Sequence, residues 1–432
     1  MNNRFITLSA KAVQLCSLTG LLLLPLPSAV LAVDDKMQVE VMLDNKNYAV
    51  NNRQWAQWLV SQVKALPALQ ALEKGALVAQ EQQKAMQQAI YNPELDAFYT
   101  DKKDDEYGLI ISQTIDLFDK RSVNSQLGAD NSALLALDRA QQTEAKLAGA
   151  LQAYIEYLMA QQLLNVARKQ EQLLLQISAD LSLREAAGDV GQVDAEMAYL
   201  SLSQNLQQIS LIEIRFRKAR AQLKKTLNSS RITLHPQPEI WFNELSASDI
   251  QAKAVNGLSV QYARKRIQQS MTRSKIAQLN KKTDPTIGLG AGRDGQDNTL
   301  MFEFSIPLNV RNNFSAQYNA VLHQVTQAEL ELKEQQRLLK TEIEQSFDNY
   351  HQLKKRVISW RKLTGSRLKN SQKLLNKQWK SGDISTSDYL FSMRQRSDTL
   401  IANIELKGEM QKAWVEWLLA SSQVQNWLES ID

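Results

Sequence analysis

The sequence predicts a mainly α protein with a small β part, built as two pseudo-repeats of long antiparallel coiled-coil helices plus strand hairpins. Three observations carry this. Landmarks of the first half return in the second at a spacing of about 190 residues, longer than any solenoid unit. Proline is absent between Pro93 and Pro236 and again after Pro307 in a chain of 432 residues, as very long helices require. Short stretches of period-two alternation stand at matched places in both halves.

The repeat is read from its punctuation. Asn92-Pro93-Glu94-Leu95 is answered by Asp284-Pro285-Thr286-Ile287, and the extended apolar stretch 110–117 by 301–308. Gly188-Asp189-Val190, with Asp194 six residues after the glycine, is answered by Gly382-Asp383-Ile384, with Asp388 six residues after its glycine. Such spacing reads as duplication of a whole half-structure, with repeats over 33–235 and 236–432 joined near 235–250.

Residues 1–32 read as a secretory signal peptide: a weakly basic start (Arg4, Lys11), a short apolar run broken by Pro25 and Pro27, and a small-residue end at Ala32. The apolar stretch is too short to cross a bilayer as an anchor. Cys16, the one cysteine, lies inside this leader after Val13-Gln14-Leu15, which is not the pattern preceding a lipid-modified cysteine. The mature chain then has neither disulfides nor thiolate metal sites. Removing Arg4 and Lys11 takes 51 basic side chains to 49 against 46 acidic ones, a net +3 spread over the whole mature chain, which is no nucleic-acid footprint.

The proline-free stretches are rich in Leu, Ala, Gln, Glu, Lys and Arg, with apolar residues at seam spacing: Leu147, Leu151, Tyr154, Leu158, then Leu339, Ile343, Phe347, Tyr350. A helix over 123–185 would be about 90 Å long and would return antiparallel over 194–227; the second copy gives 315–380 and 388–427. Gln161, Gln162, Gln170, Gln204 and Gln207 leave each helix one narrow apolar stripe. That pattern suits either an ordinary bundle core or the wall of a hollow tube. Leading helices fall near 55–64, 68–89 and 245–283, with Pro236 and Pro238 marking the crossover.

Strands are expected over 95–100 and 107–117 around a charged tip at 101–106, then over 286–292 and 299–306 around 293–298. Gly288-Leu289-Gly290-Ala291-Gly292 puts tiny residues on one strand face, which favours tight curvature. No Gly-Lys-Ser/Thr or dinucleotide fingerprint follows it, so it is not a phosphate loop. Four strands cannot close a barrel, since about eight is the smallest number whose interior fills. Three copies supply twelve, and an even-numbered closed barrel leaves no backbone group unpaired in lipid. Tyr91, Phe98, Tyr99, Tyr107 and Phe304 are candidates for its aromatic girdles.

Taken in order, Tyr91-Asn92-Pro93-Glu94-Leu95, the segment 112–121 (Ser112-Gln113-Thr114 to Lys120-Arg121), Phe304-Ser305-Ile306-Pro307-Leu308 and the two Gly-Asp turns resemble the TolC-type outer-membrane efflux proteins (outer membrane factors). Within them the likeness is to the branch typified by CzcC and CusC, and it covers essentially all of the mature chain. It implies a homotrimer with a twelve-stranded β-barrel in the outer membrane on a twelve-helix α-barrel projecting through the periplasm. The implied function is the passive exit duct of a tripartite efflux or type I secretion system. The implied partners are outer-membrane lipid, a periplasmic membrane-fusion (adaptor) protein and an inner-membrane pump, of the resistance-nodulation-division type in preference to an ABC exporter, with no nucleic acid.

In that family the hairpin turns far from the membrane form the tip where the adaptor docks and the pore constricts. The resemblance puts Arg184, Gly188, Asp189, Val190, Trp379, Gly382, Asp383, Ile384 and Ser385 at the docking tip. It makes Asp388, with Asp194 beside it, the pore aperture, where three carboxylates around a narrow opening would hold cations. Both aspartates also follow a turn and precede a long helix, where an acidic N-cap suits the orphan N–H groups and the dipole. Both roles stay open. Phe391 stands where the family often has a second acid, and Ile384 where a basic residue can lock the gate.

Nothing points to an enzyme or a cofactor. His235, His323 and His351 have no paired spacing. Met37, Met42, Met159, Met197, Met271, Met301 and Met393 are scattered rather than clustered for copper. The rival function is a periplasmic coiled-coil scaffold or adaptor that does not span the membrane; a secreted fibre would have no need of the paired strand hairpins.

Overall fold

The computed structural model describes residues 52–101, 103, 105–227, 253–364 and 367–431, all within one compact unit, Val50–Asp432. The leader and the crossover at Pro236 and Pro238, with the expected repeat boundary, lie outside the described residues. The first set of elements is α1 (Asn52–Lys64), α2 (Pro67–Gln87), β1 (Glu94–Thr100), β2 (Glu106–Thr114), α3 (Lys120–Ala186) and α4 (Gln192–Leu227). The second is α5 (Leu258–Leu279), β3 (Thr286–Asp294), β4 (Asp297–Ser305), α6 (Ser315–Thr364), α7 (Arg367–Lys380), α8 (Thr386–Ala420) and α9 (Val424–Glu429).

The run expected over 315–380 is described as α6 and α7, on either side of residues 365–366, which lie outside the described residues. One helix differs from expectation: the run over 388–427 stops at Ala420. That break has a visible cause. Ser422 turns left-handed at φ 55°, and the N–H groups of Ser422 and Gln423 close back on the carbonyls of Leu419 and Leu418. Glu144 of α3 then accepts the N–H groups of Val424 and Gln425, at 2.7 and 3.1 Å, and so caps α9.

With 67 residues, α3 is about 100 Å long and organises the rest. One apolar cluster packs Leu147, Leu151 and Tyr154 of α3 with Leu223 of α4, Trp414 and Trp417 of α8, and Trp55 of α1. A second, nearer the turn, packs Leu163, Leu174 and Ile177 with Ala198, Leu202, Tyr389 and Trp379. Between them lies a charged joint of three helices. Arg215 of α4 donates to Glu156 of α3 at 3.1 Å and to Glu405 of α8 at 2.5 Å, and Lys412 of α8 donates to Glu156 at 2.5 Å. Closer to the turn, Gln170 of α3 donates to Asn205 of α4 at 2.8 Å and accepts from Ser397 of α8 at 2.5 Å. Asn205 and Ser397 are buried, so slipping either helix by a turn would strand polar groups in the core.

The sheet runs β1-β2-β3-β4, antiparallel throughout, and its central ladder joins the two repeats, with Thr114 opposite Thr286. The second hairpin is tighter than the expected tip of 293–298. Asp294 pairs with Asp297, leaving a two-residue turn whose Gly295 has φ 58°, the conformation a type II′ turn demands at its first position. Glycine is required at the strand crossing as well: a Cβ on Gly292 would lie 2.6 Å from the Tyr107 carbonyl oxygen.

Both proline segments are anchored at the head of α3. Asp284, its side chain 1% exposed, pairs with Lys120 at 2.8 Å and accepts the Tyr91 hydroxyl at 2.8 Å. Lys120 also donates to the Lys282 carbonyl, and Asp116 caps α3 by accepting the N–H groups of Lys120 and Arg121. Tyr91 therefore belongs to this joint and not to a girdle on the sheet. Burial, then its bond to Asp284, pushes the Tyr91 hydroxyl up to about 12.

Asp284→Ala leaves Lys120 unpaired in a site with little water, and is expected to cost about 3–5 kcal/mol in denaturant unfolding. A loss below about 1 kcal/mol would show that the joint is dispensable.

Glu156 gives a pH signature. Burial alone would raise its pKa, but the bonds from Lys412 and Arg215 prevail and hold it below the usual carboxylate range. A carboxylate depressed in the folded state contributes stability above its unfolded pKa and loses it as pH falls through the folded one. Thermal melts of wild type and Glu156→Gln should differ at neutral pH and converge in acid; a gap that stays constant with pH would refute the ion-pair account.

Candidate functional site

The far ends of the two helical hairpins are built alike. Gly188 and Gly382 sit at φ 77° and 80°, left-handed positions that follow the ends of α3 and α7. In each, two N–H groups close the helix: Gly188 on Glu185 and Asp189 on Arg184, then Gly382 on Trp379 and Asp383 on Gln378. Glycine is needed because only it takes this conformation without strain. The residue after each aspartate, Val190 or Ile384, folds back onto the lower apolar cluster. Ile384 is thus part of the packing, with no cation at its position to lock anything.

The acidic residues divide in role. The N-cap of α8 is Ser385, whose Oγ accepts the Asp388 N–H at 3.0 Å while donating its proton to Asp388 Oδ2 at 2.7 Å. Asp388 is therefore the exposed carboxylate of the first turn rather than the cap, and its second oxygen Oδ1 is left to solvent chemistry. Asp194 stands at the matching place in the first turn of α4, exposed as well. Among the described residues no hydrogen bond or ion pair joins the two. Asp383 accepts the Ser381 hydroxyl at 2.5 Å, and Phe391 is 67% exposed one turn beyond Asp388.

Trp379 and Arg184 meet in a way that their sequence positions do not announce. The indole is 6% exposed, stacked on Tyr389 at 4.7 Å and 9°, and its Nε1 donates to Thr386. The Arg184 guanidinium lies 5.2 Å from its ring centroid, so a cation–π contact fastens the end of α3 to the second hairpin. Trp379 is an internal clasp, withdrawn from any surface that a partner would touch.

The opposite end of the molecule is the sheet, and it has two chemically distinct faces. One carries Leu95, Leu109, Ile111, Leu289, Leu300 and Phe302, each more than half exposed. Tyr99, Tyr107 and Phe304 share it, as the pairings Tyr99↔Tyr107 and Ile287↔Phe304 require. The other face carries Glu94, Asp96, Glu106, Glu303 and the glycines. Phe98 lies on that second face, against Gly108, and so not with the outward aromatics. Among the described residues the outer edges of β1 and β4 are unpaired.

No group of three or more His, Cys, Asp or Glu arranged for a metal occurs among the described residues, and none of their helices is long and apolar enough to cross a membrane.

Arg184→Ala should cost about 1 kcal/mol in denaturant unfolding, and Trp379→Ala about 3–5 kcal/mol because it also opens the lower cluster. Equal, negligible losses would deny the clasp.

No protein-family model matches the chain, and no curated protein matches it. Solved structures do. A membrane protein from Pseudomonas aeruginosa superposes with a TM-score of 0.72 at 16% identity, over 85% of this chain and 93% of that one. CusC, described in its conformational changes on folding and transmembrane channel formation, gives 0.70 at 14% identity over 86% and 92%. The Campylobacter jejuni CmeC outer membrane channel gives 0.71 at 11% identity over 86% of each. The chain therefore has the fold of the TolC-type outer-membrane channels, along nearly the whole length of each.

Proposed function

We propose that this chain is the outer-membrane channel component of an export system, a passive duct through which cargo leaves under power supplied elsewhere. One observation carries the reading: a four-stranded sheet with an exposed apolar face, an acidic and glycine-rich opposite face, and two open edges. Strands of seven to nine residues are about 23–31 Å long, enough at a barrel's tilt to cross most of a lipid-facing band about 25 Å tall. Three copies joined edge to edge make a twelve-stranded barrel with apolar residues outward and no free backbone groups.

The helices support the same assembly. On α4, Val193, Met197, Leu200, Leu211 and Ile214 are 48–76% exposed at the spacing of a heptad seam that lacks its partner helix within the protomer. A neighbouring copy covers it, and the helices of three copies form a tube. The far ends of the hairpins then ring the periplasmic mouth. There Asp388, with Asp194 nearby, supplies acidic groups to the aperture, and Phe391 narrows it where a second carboxylate would otherwise stand. An adaptor docks on the turns at Gly188 and Gly382 and connects them to an inner-membrane pump. A scaffold that stays in the periplasm gives no use for the exposed apolar sheet face.

Purified protein is expected to elute as a trimer in detergent and to give stepwise ion conductance in planar bilayers, with Asp388→Asn lowering the preference for cations. Phe302→Lys, on the lipid face, should reduce the yield of inserted trimer, at a cost of about 2–4 kcal/mol near the bilayer midplane. A monomer that is soluble without detergent and never conducts would overturn the reading.

A further inference from the structure

The net charge of the chain conceals an imbalance between two of its helices. Along α7 stand Arg367, Lys369, Lys373, Lys377 and Lys380 and not one acid, whereas α4 carries Asp194, Glu196 and Glu213 and no cation before Arg215. Lys373, Lys377, Lys380, Asp194 and Glu196 are exposed, and none of them is in an ion pair among the described residues. Elsewhere on the long helices cations have partners one turn away, as in Arg337–Glu334, Lys340–Glu344 and Arg394–Asp398.

These two helices are the margins of the protomer. Among the described residues α3 packs against both α4 and α8, while α6 and α7 pack against α8 and have no substantial packing on α3 or α4. The row of long helices therefore ends in α4 at one edge and in α6 and α7 at the other. A closed ring of copies brings one copy's α7 against the next copy's α4.

Their heights agree. The Arg184 guanidinium over Trp379 holds the two turns level. Lys377 and Lys373 stand five and nine residues before Gly382, and Glu196 eight residues after Gly188, so the three lie within about 6 Å along the axis. Further from the turns, Lys355 and Arg356 come level with the exposed Arg217 and Lys218, which confines the charge attraction to the end near the mouth.

Their faces agree as well. Ala198 and Leu202 of α4 are buried in the lower cluster, and the opposite side shows Val193, Met197 and Leu200, 58–76% exposed. Asp194 lines one margin of this stripe and Glu196 the other. On α7, Trp379 and Leu375 take the packed side. Lys373, Lys377 and Lys380 form a row on the opposite side at i, i+4, i+7 spacing, and Leu374, 58% exposed, stands beside that row. Because α7 runs toward its turn and α4 away from its own, the two are antiparallel. At about 100° per residue, the right-handed winding then sets the lysine row beside Glu196 and Leu374 beside Val193 and Met197, with Asp194 on the far margin.

We propose that α7 of one copy seats on the start of α4 of the next, with Lys373 and Lys377 astride Glu196 and Leu374 in the gap between Val193 and Met197. The inference rests on the channel reading above and specifies how its neighbouring hairpins are joined near the mouth. The contact is heterologous and repeats around the ring, each copy giving cations from one edge and an acid from the other.

The test uses full-length protein in detergent, with Cys16, the one native cysteine, changed to Ser. Glu196→Cys combined with Lys377→Cys is expected to form disulfides between copies on mild oxidation, seen as covalent dimers and trimers on non-reducing gels. Asp194→Cys combined with Lys377→Cys should link poorly. Charge reversal gives a second readout. Glu196→Lys alone, or Lys373→Glu with Lys377→Glu, should raise the dissociation constant of the trimer roughly tenfold, and the three changes together should restore it. Conducting trimers in which the Glu196→Cys and Lys377→Cys pair stays unlinked, or links only within one chain, overturn the proposal. So does equally fast linking from Asp194→Cys, or a triple reversal that restores nothing. Protein that is monomeric and never conducts overturns the channel reading instead.

Discussion

A sheet of four strands with open edges and an apolar face cannot be an end state, and most of the molecule is arranged around that constraint. Backbone groups along β1 and β4 need partners, and side chains such as Leu300 and Phe302 need a non-aqueous neighbour. In the channel proposed above, edge-to-edge assembly would meet the first need and lipid the second. The glycines opposite give the sheet freedom to curve, since Gly290 and Gly292 let neighbouring backbones approach where a methyl group would collide. The joint of Asp284, Lys120 and Tyr91 then hands this geometry to α3, so that the direction of the longest helix follows from the sheet.

The helical part is held in register by polar groups more than by its shape. Leucine and alanine seams slide easily, but Glu156 with Arg215, and Gln170 with Asn205 and Ser397, have one satisfying alignment each. These bonds tie α8 of the second hairpin to both helices of the first. The fastening by Arg184 on Trp379 repeats the theme at the turns. By contrast α7 contributes one buried side chain among its described residues, Trp379, and within the protomer faces water with its lysines.

Much of this was legible because it is written in local codes. The Gly-Asp turns announce left-handed caps, and the alternation around Gly288 to Gly292 announces a two-faced strand. What escaped was non-local. Tyr91 read as a girdle residue because its true partner, Asp284, lies 193 positions away. For Asp388 the cap and aperture roles both stayed open, because only the structure shows that the N-cap is Ser385, whose Oγ accepts the Asp388 N–H. Trp379 looked like a surface anchor until Tyr389 and Arg184 enclosed it.

The ladder between β2 and β3 has one more consequence, for biogenesis. Thr114 must wait for Thr286, so the centre of the sheet cannot zip until both halves of the polypeptide have arrived. The α3–α4 hairpin needs only contacts within the first half of the chain and can collapse before the second half arrives, while a lone β1–β2 ribbon stays marginal in water. The order of events therefore runs from helices to sheet, which postpones the exposure of a sticky apolar surface until it is nearly ready for use.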